Sequence, residues 1–193
     1  MPYIALENRQ INFKVVYCGP GRSGKTTNLA WLHRALAPEK RGELLMLNTR
    51  EDRTLFFDFF PMDLGKVNGF SIRFHMYTVP GQSYYQASRR LVLEGADAAV
   101  FVADSHPERM EENLASFRQM QQAHTGHGAA IAKFPIVLQY NKRDCANPVP
   151  VGCLERQLGI AAAPVVAAVA CRGEGVMETA RYATQMVISR FRF

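Results

Sequence analysis

A glycine-rich segment close to the N-terminus limits what this chain can fold into. Gly19 is followed by four residues and then by Gly-Lys-Thr ending at Thr26, between a predicted strand at 11–18 and a predicted helix at 28–37. Backbone N–H groups of such a turn form a nest for an anion, and the helix behind it adds the positive end of its dipole. The alternative is an ordinary glycine turn. Because the motif requires this strand–loop–helix setting, we predict a phosphate-binding loop.

Side chains in this loop suit the phosphates of a nucleotide. Lys25 can bring a full positive charge to the β- and γ-phosphates, and the Thr26 hydroxyl can ligate Mg²⁺. Its glycines permit positive φ angles and a close approach of the backbone to phosphate. The predicted cofactor-binding residues of the loop are Gly19, Gly21, Arg22, Ser23, Gly24, Lys25, Thr26 and Thr27.

Length and composition indicate one domain. The 193 residues are 48% apolar and 21% charged, so we predict a single domain over 1–193 with residues 1–10 as a loose lead-in. The longest apolar run, at 160–171, is broken by Pro164 and is too short to span a membrane. The sequence shows no secretory signal, no lipidation motif and no metal-ligand spacing of cysteines. We therefore expect a cytoplasmic protein with reduced cysteines and no stable membrane anchor.

The net charge of +6 does not come from a dense basic run. Basic residues are scattered along the chain, which is not typical of a nucleic-acid binder. We expect no nucleic-acid partner, and a surface that attracts an anionic nucleotide or an acidic protein.

Strands and helices alternate along the chain. The strands predicted at 96–103, 134–140 and 164–170 are each followed by a predicted helix. This order predicts an α/β fold with a mostly parallel central sheet covered by helices on both faces. Ligands of such folds bind at the carboxyl ends of the strands, where the phosphate-binding loop is expected to lie.

A second motif follows the strand at 134–140. Its residues are Asn141, Lys142, Arg143 and Asp144. The Asp144 carboxylate can accept from both N1–H and the N2 amine of guanine, a donor pair that adenine lacks. Lys142 can lie along the base plane, Asn141 can tie this segment to the phosphate-binding loop, and the Ala170 N–H can meet guanine O6. The alternative is a charged turn, but the position after a strand favours guanine recognition.

Three further residues are expected near a γ-phosphate. Thr54 lies where a second threonine ligand to Mg²⁺ is expected, so the predicted metal ligands are Thr26 and Thr54. Gly81 can offer its N–H to the γ-phosphate, and Gln82 can orient the attacking water.

These motifs, in order and spacing, resemble those of the Ras-like small GTPases, and more narrowly those of the bacterial MglA family. The segments that carry the narrower resemblance are Asn-Arg-Gln-Ile-Asn-Phe-Lys at 8–14, Thr-Leu-Phe-Phe-Asp-Phe at 54–59, Thr-Val-Pro-Gly-Gln at 78–82 and Val-Ala-Asp-Ser at 102–105. The resemblance covers about residues 8–188. It implies a P-loop NTPase fold that binds GTP or GDP with Mg²⁺ and acts as a switch in cell polarity or gliding motility.

The resemblance also implies partners. A Roadblock/LC7-type, MglB-like activating protein would accelerate a slow GTP hydrolysis, and partners would recruit the protein to the cell pole. Arg53 would act in cis beside Gln82 once a partner orders its loop; the alternative is a solvent-facing arginine. Effectors are expected to bind the aromatic residues at Phe56–Phe60 and Tyr84–Tyr85, which flank the predicted switch loops.

The chain departs from the broad Ras pattern at several positions. Thr78 replaces the aspartate that normally holds a Mg²⁺-bound water, although threonine here is what the MglA family shows. Arg22 occupies a loop position that is usually small, and Val-Ala-Cys at 169–171 replaces Ser-Ala-Lys. Because Thr78 would weaken the metal site, a GTP-sensing interaction module with negligible hydrolysis stays open. A P-loop ATPase or nucleotide kinase is a further alternative, against which Asp144 argues.

Overall fold

The structure is a computed structural model that describes residues 2–46, 57–79, 86–125 and 134–191. The strands are β1 (Tyr3–Ala5), β2 (Gln10–Cys18), β3 (Leu45–Met46), β4 (Asp58–Val67), β5 (Phe70–Thr78), β6 (Ala98–Asp104), β7 (Ile136–Asn141) and β8 (Val165–Ala167). The helices are α1 (Lys25–Ala35), α2 (Gln86–Leu93), α3 (Met110–Thr125), α4 (Cys153–Leu158) and α5 (Val176–Arg190), with 3₁₀ turns at Pro38–Lys40 and Pro107–Arg109.

The described strands form one sheet in the order β3-β4-β5-β2-β6-β7-β8, and β1 pairs with the start of β2. Neighbours from β5 to β8 in this order are parallel, whereas β3, β4 and β5 pair antiparallel. The β4–β5 hairpin turns at Asn68 and Gly69, whose positive φ angles of 49° and 82° suit a tight two-residue turn. The prediction of an α/β fold with a mostly parallel central sheet is confirmed.

Apolar side chains on both faces of the sheet hold the helices in place. All seven residues of β6 are buried, as expected for a parallel strand covered on both sides. On one face, α1 and α5 pack around Leu29, Leu32 and Val187. On the other, α2, α3 and α4 pack around Phe101 and Phe117, whose rings meet edge-on with centroids 5.1 Å apart. None of the described helices is both long and apolar enough to cross a membrane.

Parallel pairing brings the carboxyl ends of three strands to one edge of the sheet. Cys18 at the end of β2 lies beside Phe101 of β6, and Asp104 at the end of β6 lies beside Asn141 at the end of β7. The glycine loop follows β2 and the Asn-Lys-Arg-Asp segment begins at the end of β7. The two predicted motifs therefore meet at this edge, as expected for a ligand site in such a sheet.

One local prediction is wrong. The lead-in is not loose, because Tyr3–Ala5 forms an antiparallel hairpin with the start of β2. Pro61 lies within β4, where its carbonyl oxygen accepts a 2.9 Å hydrogen bond from the Gly42 N–H. Only the N–H is missing at a proline, so a strand position that uses the carbonyl is tolerated. At the start of α5, Val176 is buried, whereas its neighbour Met177 is 44% exposed.

Candidate nucleotide-binding site

Residues 19–24 form a loop between the end of β2 and the start of α1. Gly19 and Gly24 have φ angles of 140° and 99°, which favour glycine. A Cβ atom on Gly19 would lie 2.2 Å from the carbonyl oxygen of Val102, and one on Gly24 would lie 2.2 Å from Asn141 Nδ2. Both positions therefore need glycine for close packing as well as for backbone conformation. Arg22, rather than Gly21, has the next positive φ in the loop, 63°.

The Lys25 side chain turns back against the loop. Its Nζ donates to the carbonyl oxygens of Gly19 at 3.0 Å and Pro20 at 2.7 Å, and the residue is only 7% exposed. Burial lowers the pKa of Lys25 to about 8. An anion held by the loop would favour the charged form of Lys25. The predicted contact of Lys25 with phosphate is compatible with this position and stays a prediction.

The Asn141 side chain connects three segments. Its Nδ2 donates to the Ser23 carbonyl oxygen at 2.7 Å, and its Oδ1 accepts from the Ala170 N–H at 2.9 Å. One amide thus joins the glycine loop, the Asn-Lys-Arg-Asp segment and the segment after β8, and its predicted tie to the glycine loop is present. Because Ala170 already donates its N–H to Asn141, a contact with guanine O6 would have to share that donor.

A cleft of about 400 Å³ opens between these segments, within the usual range of ligand pockets. The Asp144 carboxylate is at its edge, with Arg172 Nη2 3.5 Å from Asp144 Oδ2. Predicted residues that line the cleft are Arg22, Gly24, Thr27, Asn141, Lys142, Asp144 and Ala170. The structure therefore brings the residues predicted for phosphate and for guanine to one cleft.

A buried carboxylate that the sequence analysis did not single out lies beside Thr26. Asp58 Oδ2 accepts from the Thr26 hydroxyl at 2.6 Å and from the Thr78 hydroxyl at 2.9 Å, and the Asp58 N–H donates to Thr78 Oγ1 at 2.8 Å. Asp58 is only 8% exposed. The signal that could have found it is an acidic residue two positions before Phe60, on the same buried face of an aromatic strand.

These side chains fit a magnesium ion. Mg²⁺ prefers hard oxygen ligands and is usually held by one or two carboxylates together with substrate phosphates. The hydroxyl of Thr26 and the carboxylate of Asp58 supply such oxygens next to the loop. Asp58 also supplies, from β4, the negative charge that Thr78 lacks. Thr54, the other predicted metal ligand, lies outside the described residues.

A second buried carboxylate, Asp104, lies beside the Asn-Lys-Arg-Asp segment. It is 1% exposed, and it accepts from Lys142 Nζ and His106 Nδ1, each at 2.6 Å. Burial acts to raise the pKa of Asp104, but the hydrogen bonds from Lys142 and His106 outweigh it and hold the pKa below its ordinary value. Lys142 is therefore anchored by an ion pair. Neither Asp104 nor His106 was singled out from the sequence.

The remaining predicted residues fall into two groups. Arg53, Thr54, Gly81 and Gln82 lie outside the described residues, and so do Phe56 and Tyr84–Tyr85. Within the predicted effector segment, Phe60 is fully buried in the core, whereas Phe57 and Phe59 are half-buried and pack on Tyr77. Phe60 is therefore a core residue and not part of an exposed surface in this structure.

The fold is α/β with a mixed sheet. A glycine loop follows one strand and an Asn-Lys-Arg-Asp segment follows another, which is the arrangement of the Ras-like small GTPases. A comparison with curated proteins agrees. The chain is similar to the Mutual gliding-motility protein MglA of Myxococcus xanthus (strain DK1622), with 46% identity over 192 residues that cover 100% of this chain and 98% of the relative. No protein-family model matches the chain.

At this identity over its full length, the chain belongs to the MglA family of bacterial Ras-like small GTPases. The resemblance inferred from its motifs is thereby confirmed.

Proposed function

We propose that this protein is a GTP-binding molecular switch that slowly hydrolyses GTP to GDP and regulates cell polarity or motility. The observation that carries the proposal is the Asn141 side chain, which joins the glycine loop and the Asn-Lys-Arg-Asp segment around one cleft. A nucleotide in this cleft would have its phosphates at Lys25 and its base at Asp144. Membership of the MglA family supports the same class of activity.

Base selection follows from the Asp144 carboxylate. Guanine offers it both N1–H and the N2 amine, whereas adenine would leave a carboxylate without these donors, at a cost of several kcal/mol. In the absence of a ligand Asp144 has Arg172 as a neighbour, and that pair is partly exposed and therefore weak. Guanine can take the place of Arg172 beside the Asp144 carboxylate at little cost in free energy. This chemistry disfavours an ATPase or an adenine nucleotide kinase.

The phosphate end relies on this chain's own cation and oxygen ligands. Lys25 binds the β- and γ-phosphates, and Thr26 and Asp58 would hold Mg²⁺. When bound, Mg²⁺ offsets the charge that develops on the phosphate oxygens during transfer. The alternative of a GTP-sensing module with negligible hydrolysis was motivated by the missing carboxylate at Thr78. Asp58 supplies a carboxylate beside Thr78, so this motivation is weaker.

The remaining steps are assigned to segments outside the described residues. Gly81 would donate its N–H to the γ-phosphate, Gln82 would orient the attacking water, and Arg53 would act in cis on the developing charge. Thr54 would be the second threonine ligand to the metal. Intrinsic hydrolysis is expected on the order of 10⁻⁴ to 10⁻² per second, because these groups must first be positioned.

A partner would position these groups. We propose a Roadblock/LC7-type, MglB-like activating protein, and effectors that contact two half-buried aromatic residues, Phe57 just before β4 and Phe59 within it. The name of the Myxococcus xanthus relative refers to gliding motility. We extend that role to this chain, as a cytoplasmic protein that partners recruit to the cell pole.

Nucleotide selectivity tests the proposal. Purified protein should bind fluorescent GDP and GTP in the presence of Mg²⁺, and competition by unlabelled GDP should be far stronger than competition by ADP. Equal competition by ADP and GDP would contradict the assignment of Asp144 and favour the ATPase alternative. Tight GTP binding without phosphate release, with or without the partner, would favour the interaction module.

A further inference from the structure

Arg109 links the glycine loop to the buried carboxylate that anchors Lys142. It lies in the 3₁₀ turn at Pro107–Arg109, between β6 and α3. Its Nη2 donates to the Gly21 carbonyl oxygen at 2.7 Å, and its Nε lies 3.8 Å from Asp104 Oδ2. The guanidinium, a planar fork of N–H donors, therefore binds the Gly21 carbonyl through a hydrogen bond and faces Asp104 in a longer electrostatic contact, while its Nη1 pairs with Glu112.

The bond to Gly21 controls the orientation of the next peptide group. In a trans peptide the C=O and the following N–H point to opposite sides, and the described residues contain no cis peptide. Holding the Gly21 carbonyl towards Arg109 therefore turns the Arg22 N–H away from Arg109, where it can serve as a donor of the anion nest. Arg22 has φ 63°, a left-handed conformation that is unfavourable for a residue with a Cβ. An external contact beside it helps to keep this conformation.

Asp104 connects Arg109, which contacts the glycine loop, with Lys142 of the Asn-Lys-Arg-Asp segment. The same Oδ2 atom that neighbours Arg109 accepts from Lys142 Nζ at 2.6 Å. The path Gly21–Arg109–Asp104–Lys142 therefore runs from the glycine loop to the Asn-Lys-Arg-Asp segment. This path is separate from the hydrogen bonds of the Asn141 side chain, which reaches the loop at Ser23.

We propose that Arg109 is a positioning residue that couples the glycine loop to Lys142 through Asp104 and so prolongs the lifetime of bound nucleotide. This inference rests on the proposed binding of GDP and GTP. Arg109 does not read the base, because Asp144 has that role. Loss of its guanidinium should loosen the loop and speed nucleotide release, with base selectivity unchanged.

The test is the dissociation rate of fluorescent mant-GDP, chased with excess GDP, for wild-type protein and single variants. Arg109→Met keeps the length of the side chain and removes the fork. Arg118→Met, at an exposed position of α3, is the matched control. We expect Arg109→Met to raise the rate about tenfold, equivalent to about 1.4 kcal/mol, and the control to match wild type. Competition by ADP relative to GDP should stay as in wild type.

A double-mutant cycle tests the path through Asp104. In the Asp104→Asn background, Arg109→Met should raise the rate by much less than tenfold, because coupled residues are not additive. Arg109→Lys keeps the charge but not the fork, so its dissociation rate should lie between those of wild type and Arg109→Met. This variant replaces Arg109→Met in the test if the methionine variant does not fold.

Three outcomes would overturn the proposal. They are rates of both Arg109 variants equal to that of Arg118→Met, full additivity with Asp104→Asn, or a loss of base selectivity, which would indicate general distortion. Wild-type protein that does not retain mant-GDP would instead refute the proposed function, and this inference with it.

Discussion

The Thr26 hydroxyl donates a 2.6 Å hydrogen bond to Asp58 across 32 residues of sequence. Thr26 is the second residue of α1, and Asp58 is the first residue of β4. The contact places a carboxylate beside the hydroxyl predicted to ligate Mg²⁺. Asp58 also accepts from the Thr78 hydroxyl, so a carboxylate lies next to the position where the broad Ras pattern has an aspartate.

Replacing Asp58 by asparagine should weaken Mg²⁺ binding. The amide keeps the shape but loses the negative charge, and loss of such a ligand or its support typically costs 10–100-fold in metal affinity, as an order of magnitude. The measurement is the free Mg²⁺ concentration at which mant-GDP release is half-suppressed. Asp63→Asn on the same strand, where Asp63 pairs with Arg73 at 2.8 Å, is the control. Equal half-points for the two variants would remove Asp58 from the metal site.

The low pKa of Lys25 predicts a pH-dependent stability for the nucleotide-free protein. Burial lowers the pKa from 10.5 to about 8 in the folded state, so between these values the unfolded chain binds more protons. The free energy of unfolding should therefore rise with pH across this window, and the full penalty of the buried charge applies below it. Lys25→Met should be more stable than wild type near neutral pH and should lack this rise.

Urea unfolding of nucleotide-free protein below and within this pH window checks the prediction, with Lys66→Met, at an exposed position of β4, as control. Lys25→Met should also lose tight GDP binding, because phosphate would no longer meet a cation in the loop. A methionine variant that shows the same pH dependence as wild type, or that binds GDP normally, contradicts the assignment of Lys25.

Asp144→Asn should move base preference from guanine towards xanthine. The amide can donate a hydrogen bond where the carboxylate could only accept, and xanthine presents an oxygen where guanine has its N2 amine. Competition of GTP and XTP for the same fluorescent nucleotide gives the ratio of affinities. If the variant still prefers GTP, Asp144 does not read the base.

Two neighbouring aromatic residues of β4 should behave differently when truncated. Phe60 is fully buried, so Phe60→Ala should destabilise the fold by about 3–5 kcal/mol. Phe59 is half-buried and stacks on Tyr77 with ring centroids 4.6 Å apart. Phe59→Ala should leave the fold largely intact and weaken binding of the activating partner, measured by calorimetry. Unchanged partner affinity would exclude Phe59 from the interface.

The positions of the glycine loop and the Asn-Lys-Arg-Asp segment were predictable because each is a local motif of fixed spacing after a buried strand. Gly19, Lys25 and Asn141 could be assigned roles from the sequence, and the structure brings them to one edge of the sheet. Local sequence is sufficient there because the strand preceding each motif decides where its loop must lie.

Contacts that depend on register between distant strands could not be predicted. Asp58 meets Thr26 only because β4 pairs antiparallel with β5 and places its first residue beside the glycine loop. Arg109 reaches Gly21 across 88 residues, by way of a 3₁₀ turn that has no sequence period. The hairpin at Tyr3–Ala5 was missed for the same reason, since its pairing with β2 decides its conformation.

The most direct test of the central claim is single-turnover hydrolysis of GTP with Mg²⁺, with and without a Roadblock/LC7-type partner, and with ATP as the control substrate. We predict slow release of phosphate from GTP alone, at least about 10²-fold stimulation by the partner, and loss of that stimulation in Gln82→Ala and Arg53→Ala. Both variants should still bind GTP and the partner. Bound GTP that yields no phosphate above a protein-free blank, even with the partner present, would contradict the account and leave a GTP-sensing interaction module.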